Sequence, residues 1–283
     1  MLRAIVIKNN IIVFSCLTLL GCANLSDNTL AISAHYGLTK HSITTSIYNH
    51  NYFQNHAYTA LRTTGKLPEK TTIHLYIGSD GTPWIKGRWI AADPTPSDPL
   101  ALKLMGEDKN PAIYLSRPCY FDDIKQSYCH ASLWSSARYS KNVITSMALA
   151  IKQLINIDNE IILLGYSGGA AIAVLLADQL DNVVGLVTIA GNLNTDLWTT
   201  HHQLSPLTQS INPSRYQYLK KPIKSIHLAA NNDKVIPLPI IQSYIAIRGG
   251  KLHIFNNADH RCCWLEKWPE NLKEINSYFS MAE

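Results

Sequence analysis

The sequence has no run of lysines and arginines. Its 25 basic and 20 acidic residues are scattered over 283 positions and leave a formal charge of +5. That gives no electrostatic footprint for a nucleic acid. There is no C-x2-C pair, and the adjacent Cys262 and Cys263 are poorly placed to supply two tetrahedral ligands. No metal site is expected, and no cofactor is called for. Internal repeats and low-complexity tracts are absent. Beyond residue 22 no apolar stretch approaches 18 residues, so the mature chain is expected to have no transmembrane helix. Charged residues are few, 16% against 46% apolar, with a mean hydropathy of −0.04. Those values exclude disorder. A chain of this size buries enough surface to fold without metals or disulfides.

The N-terminus reads as an address rather than as structure. Arg3 and Lys8 precede an apolar run from Ile11 to Leu20. As a helix, ten residues rise about 15 Å, half of a bilayer core. The run fits the h-region of a signal peptide over residues 1–21. It ends in Leu19-Leu20-Gly21-Cys22, which resembles the bacterial lipobox. That resemblance implies a diacylated Cys22 as the first mature residue, and two or three chains anchor stably where one does not. Ala23 rather than Asp implies delivery to the outer membrane. Residues 22–48 are polar and mixed and are expected to form a tether, leaving 49–283 as one domain.

Of six cysteines, Cys16 leaves with the signal and Cys22 carries lipid. Four remain in an oxidising compartment, with three possible connectivities. Cys119–Cys129 is favoured because it closes a short polar loop. Cys262 and Cys263 are then either a vicinal disulfide or free thiols.

Beyond the tether, apolar runs alternate with helical patterns. Thr72–Ile77, Ala112–Leu115, Glu160–Leu164, Val183–Ile189, Ser225–Ala229 and Lys251–Phe255 read as strands. Val143, Ile144, Met147, Ile151, Leu154 and Ile155 recur at helical spacing. Ala170–Leu180, Leu238–Ile247 and Trp264–Phe279 also read as helices, the last broken or kinked at Pro269. This alternation predicts an α/β fold, a mostly parallel sheet with helices on both faces.

Gly165-Tyr166-Ser167-Gly168-Gly169 matches G-x-S-x-G between a buried strand and a helix, the context that motif requires. The glycines leave room for backbone at a tight turn, and the helix N-terminus favours a developing oxyanion. Ser167 needs a base, and the base needs an orienting acid. His260 follows the final strand in Ala258-Asp259-His260 and is the expected base. His201 and His202 fall between strands, and His253 alternates within one. Asp233, after Ser225–Ala229, is the expected acid, with Asp196 and Asp259 as further candidates. Gly168 supplies one oxyanion N–H, and the loop Gly78-Ser79-Asp80-Gly81 supplies the other, assigned to Asp80. The Asp80 carboxylate should turn away and bond elsewhere.

These residues carry a resemblance. The chain resembles α/β-hydrolases, and more closely a poorly characterised group of Gram-negative α/β-hydrolase lipoproteins. The similar stretches are Tyr76 to Gly81, Asp93-Pro94-Thr95-Pro96, Arg117-Pro118-Cys119, Trp134 with Arg138-Tyr139, Gly165 to Gly169, Gly191-Asn192-Leu193, Ser210 to Pro213, and Asp259-His260. The group's Glu-Gly-Asp-Gly loop reads Gly78-Ser79-Asp80-Gly81 here, which adds a side chain near the oxyanion site. The resemblance supplies no natural substrate.

The expected activity is carboxylic ester hydrolysis through an acyl-enzyme, acting on a small-molecule or lipid ester. The lipid-bearing N-terminus would hold the protein to the periplasmic face of the outer membrane. Transfer of an acyl group to an envelope lipid or glycan is the first alternative, and a non-catalytic binding protein on the same fold is the second. Trp84, Trp89, Trp134 and Trp198 fall in loops where pockets form. They either line that pocket or pack loops onto the sheet. Arg117 and Arg138 either hold an anionic substrate group or form structural ion pairs. Cys262 and Cys263 are placed to pin the His260 loop.

Overall fold

A computed structural model gives the fold. It describes residues 25–47, 51–60, 67, 69–121, 127–218 and 223–280. The signal segment, Cys16 and Cys22 lie outside the described residues.

The sheet is built from β1 (Leu38–Ile47), β2 (Asn51–Ala60), β3 (Thr72–Ile77), β6 (Ala112–Leu115), β7 (Glu160–Tyr166), β8 (Val183–Ile189), β9 (Ser225–Ala230) and β10 (Lys251–Phe255). Their spatial order is β1-β2-β6-β3-β7-β8-β9-β10. The strands from β6 to β10 pair in parallel, while β2 pairs antiparallel with both β1 and β6. A separate short hairpin joins β4 (Trp84–Ile85) to β5 (Trp89–Ile90).

Side-chain alternation splits the core into two layers. On β3, Ile73, Leu75 and Ile77 face one layer and Tyr76 the other. On β7, Ile161 and Leu163 face the first, while Ile162, Leu164 and Tyr166 face the second. Burial on both faces explains why these strands read as continuous apolar runs. Helices α3 (Lys141–Leu154), α4 (Gly168–Ala177) and α6 (Leu238–Arg248) cover the first face. Helices α2 (Leu100–Glu107) and α7 (Trp268–Ser280) cover the second. Every residue of α4 is buried, as expected of a helix that is apolar all round. Truncating a fully buried leucine such as Leu163 costs about 2–5 kcal/mol.

Two expectations need correction. Residues 25–47 are no tether. They form α1 (Leu25–Tyr36) and β1, and β1 pairs along ten positions with β2. The strand is polar, but its threonines and isoleucines suit a pleated surface. Ile43 and Thr45 are buried, and Thr45 Oγ1 lies 2.9 Å from Ser146 Oγ on α3. Ser146 in turn donates to Asn55 Oδ1. These hydroxyl contacts add to the apolar contacts that Ile43 and Ala57 make with the core. At the other end, the helix expected over Trp264–Phe279 starts only at Trp268, after turns over residues 264–267, so Pro269 marks its start rather than a break within it. The proline sits in the first turn of α7, where a missing N–H costs nothing.

Candidate active site

The carboxyl ends of β3, β7, β8 and β9 converge on one cavity of about 870 Å³, the edge where this architecture places ligands. Ser167 stands at the turn between β7 and α4 with φ of +56°, a conformation that is strained for a residue with a Cβ. The turn closes because its neighbours are glycines. A Cβ on Gly165 would lie 2.5 Å from the Ala170 Cα, and one on Gly169 would meet the carbonyls of Ile77 and Gly78. Backbone hydrogen bonds lock the geometry. Ser167 N–H donates to the Ile189 carbonyl, and Asn192 N–H to the Ser167 carbonyl.

The structure brings Ser167, His260 and Asp233 together. His260 Nε2 lies 3.0 Å from Ser167 Oγ, and His260 Nδ1 lies 2.8 Å from Asp233 Oδ2. The Asp233 side chain is only 1% exposed. Its other oxygen accepts the backbone N–H groups of Val235 and Ile236, both at 2.8 Å. A buried carboxylate held in this way can face the imidazole in one orientation only. The His260 loop is tied down through its carbonyl, which accepts from Tyr166 Oη at 2.8 Å and Trp264 Nε1 at 3.1 Å. The sequence reading missed Tyr166 as an anchor, although it stands inside the G-x-S-x-G motif.

The competing candidates lie elsewhere. Asp259 turns back to accept from the N–H groups of Arg261 and Cys262. The Cys262 N–H and then the Arg261 N–H hold its carboxyl below the usual range. Asp196 pairs with the exposed Arg215 at 2.9 Å. His202 Nε2 contacts the Val235 carbonyl, and His253 pairs with Glu274. Cys119 is bonded to Cys129, and Cys262 to Cys263 just beyond His260.

Asp80 has a different environment. Arg138 Nη1 donates to its Oδ2 at 2.9 Å, and Tyr139 Oη to the same oxygen at 2.7 Å. Arg117 Nη2 lies 2.6 Å from Oδ1. Burial pushes this carboxyl up, but Arg117 and then Arg138 outweigh it and lower it to about 2. Arg117 is itself sandwiched between the Tyr120 and Tyr139 rings. Arg117 and Arg138 are therefore ion-pair partners of Asp80, although Arg138 also borders the cavity. The Asp80 carboxylate packs so closely on Gly168 that no Cβ fits there. Tyr120 Oη donates to the Asp80 carbonyl at 3.0 Å, fixing that peptide. The Ser79 hydroxyl, the departure from the group's loop, accepts from the Gly81 N–H at 3.2 Å.

Trp84 and Trp198 line the cavity. Trp134 is buried and donates to the Ala91 carbonyl, whereas Trp89 points out to solvent. Asn192 is another cavity residue to which the sequence reading gave no role; both polar atoms of its buried side chain lack a hydrogen-bond partner among the described residues. No cluster of three or more His, Cys, Asp or Glu among the described residues is placed to hold a metal ion.

No protein-family model matches the chain, and no curated protein matches it in sequence. Solved structures do. An esterase of Pyrococcus furiosus superposes with a TM-score of 0.56 at 12% identity, over 87% of this chain and 92% of its own. Candida antarctica lipase A gives 0.55 at 12%, over 89% of this chain and 80% of its own. A puromycin hydrolase gives 0.54 at 13%, over 87% of this chain but only 39% of its own. Sheet order, the strained serine turn and these superpositions agree that the chain has the α/β-hydrolase fold.

Proposed function

We propose that the protein is a serine hydrolase that cleaves carboxylic esters through an acyl-enzyme. The observation that carries this reading is the unbroken chain Ser167 Oγ, His260 Nε2, His260 Nδ1, Asp233 Oδ2, with contacts of 3.0 and 2.8 Å. His260 accepts the Ser167 proton as the oxygen attacks the ester carbonyl carbon. Asp233 holds the imidazole tautomer and stabilises the imidazolium. The tetrahedral oxyanion is received by the N–H groups of Gly168 and Asp80, each donor contributing about 3–4 kcal/mol. Collapse expels the alcohol, which takes the proton from His260. Water activated by the same histidine then releases the acid.

The arginine cluster supports this role for the Asp80 loop by fixing it: Arg117 and Arg138 hold the Asp80 carboxylate, which packs against Gly168, and Tyr120 holds the Asp80 carbonyl. Apolar Trp84, Ile90, Leu100, Trp198, Leu204 and Ile236 line the cavity and suit an acyl chain.

We also infer attachment to the bacterial envelope through lipid on Cys22, at the periplasmic face of the outer membrane, and membership of the lipoprotein group that the chain resembles. The lipobox-like Leu19 to Cys22 and the Ala23 after it support this. Radiolabelled palmitate incorporated by the parent and not by Cys22→Ser tests the anchor. For the chemistry, the test is hydrolysis of esters of graded acyl length by the parent and by Ser167→Ala. Activity that survives in the variant overturns the nucleophile assignment.

A further inference from the structure

The hairpin beside the cavity forms a two-stranded sheet of its own, separate from the main sheet. Trp84, Ile85, Trp89 and Ile90 are 41, 49, 62 and 43% exposed, and Lys86-Gly87-Arg88 forms the tip between them. Four large apolar side chains clustered on one hairpin are more than the scattered exposure of an ordinary surface. Trp84, Gly87 and Ile90 also line the cavity that holds Ser167. Leu204 and Val235, 47 and 45% exposed, line it too and extend the apolar rim.

Helix α1 touches the same rim. The Asn28 side chain donates to the Ser97 carbonyl at 3.1 Å, and Ser97 lines the cavity. Asn28 is six residues from Cys22, a reach of at most about 20 Å even fully extended. A lipid on Cys22 therefore keeps the cavity mouth close to the membrane.

We propose that the β4–β5 hairpin docks onto an anionic phospholipid surface and turns the cavity mouth toward the bilayer, so that ester substrates enter from the lipid phase. Tryptophan settles at the headgroup boundary, and Lys86 and Arg88 meet anionic headgroups. A protein partner fits less well, because lysine is depleted at the core of protein interfaces and here Lys86 stands between the apolar pairs. The inference rests on the hydrolase reading for its substrate and on the Cys22 anchor for its orientation. Docking itself rests on the hairpin.

The test uses the full chain carrying Ser167→Ala, mixed with vesicles of phosphatidylglycerol and phosphatidylcholine whose acyl chains are brominated. Residues 1–24 contain no tryptophan, so tethering alone quenches nothing. Trp84 and Trp89 are two of six tryptophans, so emission should fall by about a third, and Trp84→Phe/Trp89→Phe should abolish that fall. In the Ser167 background, Ile85→Ser/Trp89→Ser should lose about tenfold activity on a vesicle-embedded ester while hydrolysing a soluble short ester as before. Absent quenching, or equal loss on both esters, overturns the proposal and leaves the patch to a protein partner. Undiminished quenching in vesicles of phosphatidylcholine alone overturns the anionic preference. If quenching occurs but a fluorophosphonate leaves Ser167 of the parent unlabelled, docking stands and the hydrolase reading falls.

Discussion

Two aspartates, one buried and one partly buried, border the Ser167 site, and they are held in opposite ways. Asp233 meets one histidine and two backbone N–H groups. Asp80 meets two arginines and a tyrosine. The first carboxylate orients its partner, His260, toward Ser167. The second is neutralised by groups that never titrate near neutrality, so its contribution is to the architecture beside Gly168. Residue type alone does not separate the two; the partner does.

The sharpest way to break this comparison is to convert each aspartate to asparagine. For Asp233→Asn, kcat should fall about 10⁴-fold with little loss of stability, because the wrong imidazole tautomer is selected. Steady-state kinetics on a short ester and urea unfolding measure the two effects. For Asp80→Asn the larger loss is in stability, about 3 kcal/mol, because Arg117 and Arg138 are left buried without a counter-charge. Urea unfolding reads this directly. Adding Arg117→Met to Asp80→Asn should recover part of the loss, and strict additivity of the two changes would contradict the ion-pair account.

Acid sharpens the contrast further. The Asp80 carboxyl is lowered from 3.8 to about 2 in the folded chain. A depressed folded value stabilises fully above the unfolded value and is lost as pH falls toward the folded one. The parent should therefore lose about 2 kcal/mol between roughly pH 4 and pH 2, a slope that Asp80→Asn lacks. Urea unfolding across that window decides it. The smallest expected effect is at Asp259, beside His260 in sequence but turned back on its own loop. Asp259→Asn should keep kcat/KM within about threefold of the parent.

The difference between the aspartates also marks what the sequence revealed. Asp233 was legible because strand ends and the Ser, Asp, His chain order single it out. The two-arginine clamp on Asp80 was not, because Asp80, Arg117 and Arg138 come from three separated stretches of chain and only the fold joins them. The parallel strands were legible as apolar runs buried on both faces. The β1 strand was hidden because few of its residues are apolar and part of its buried contact runs through hydroxyls and an amide, Thr45 to Ser146 to Asn55, which look like linker composition on paper. The exposed hairpin was hidden for the converse reason. Its two short Trp-Ile pairs read equally well as loop packing.

The central claim is that Ser167 is the nucleophile activated by His260. The most direct measurement is mass spectrometry of the protein after reaction with a fluorophosphonate. The account predicts one adduct, on the peptide containing Ser167, formed at neutral pH and lost in both Ser167→Ala and His260→Ala. An adduct on another residue, or labelling undiminished in those variants, would contradict it.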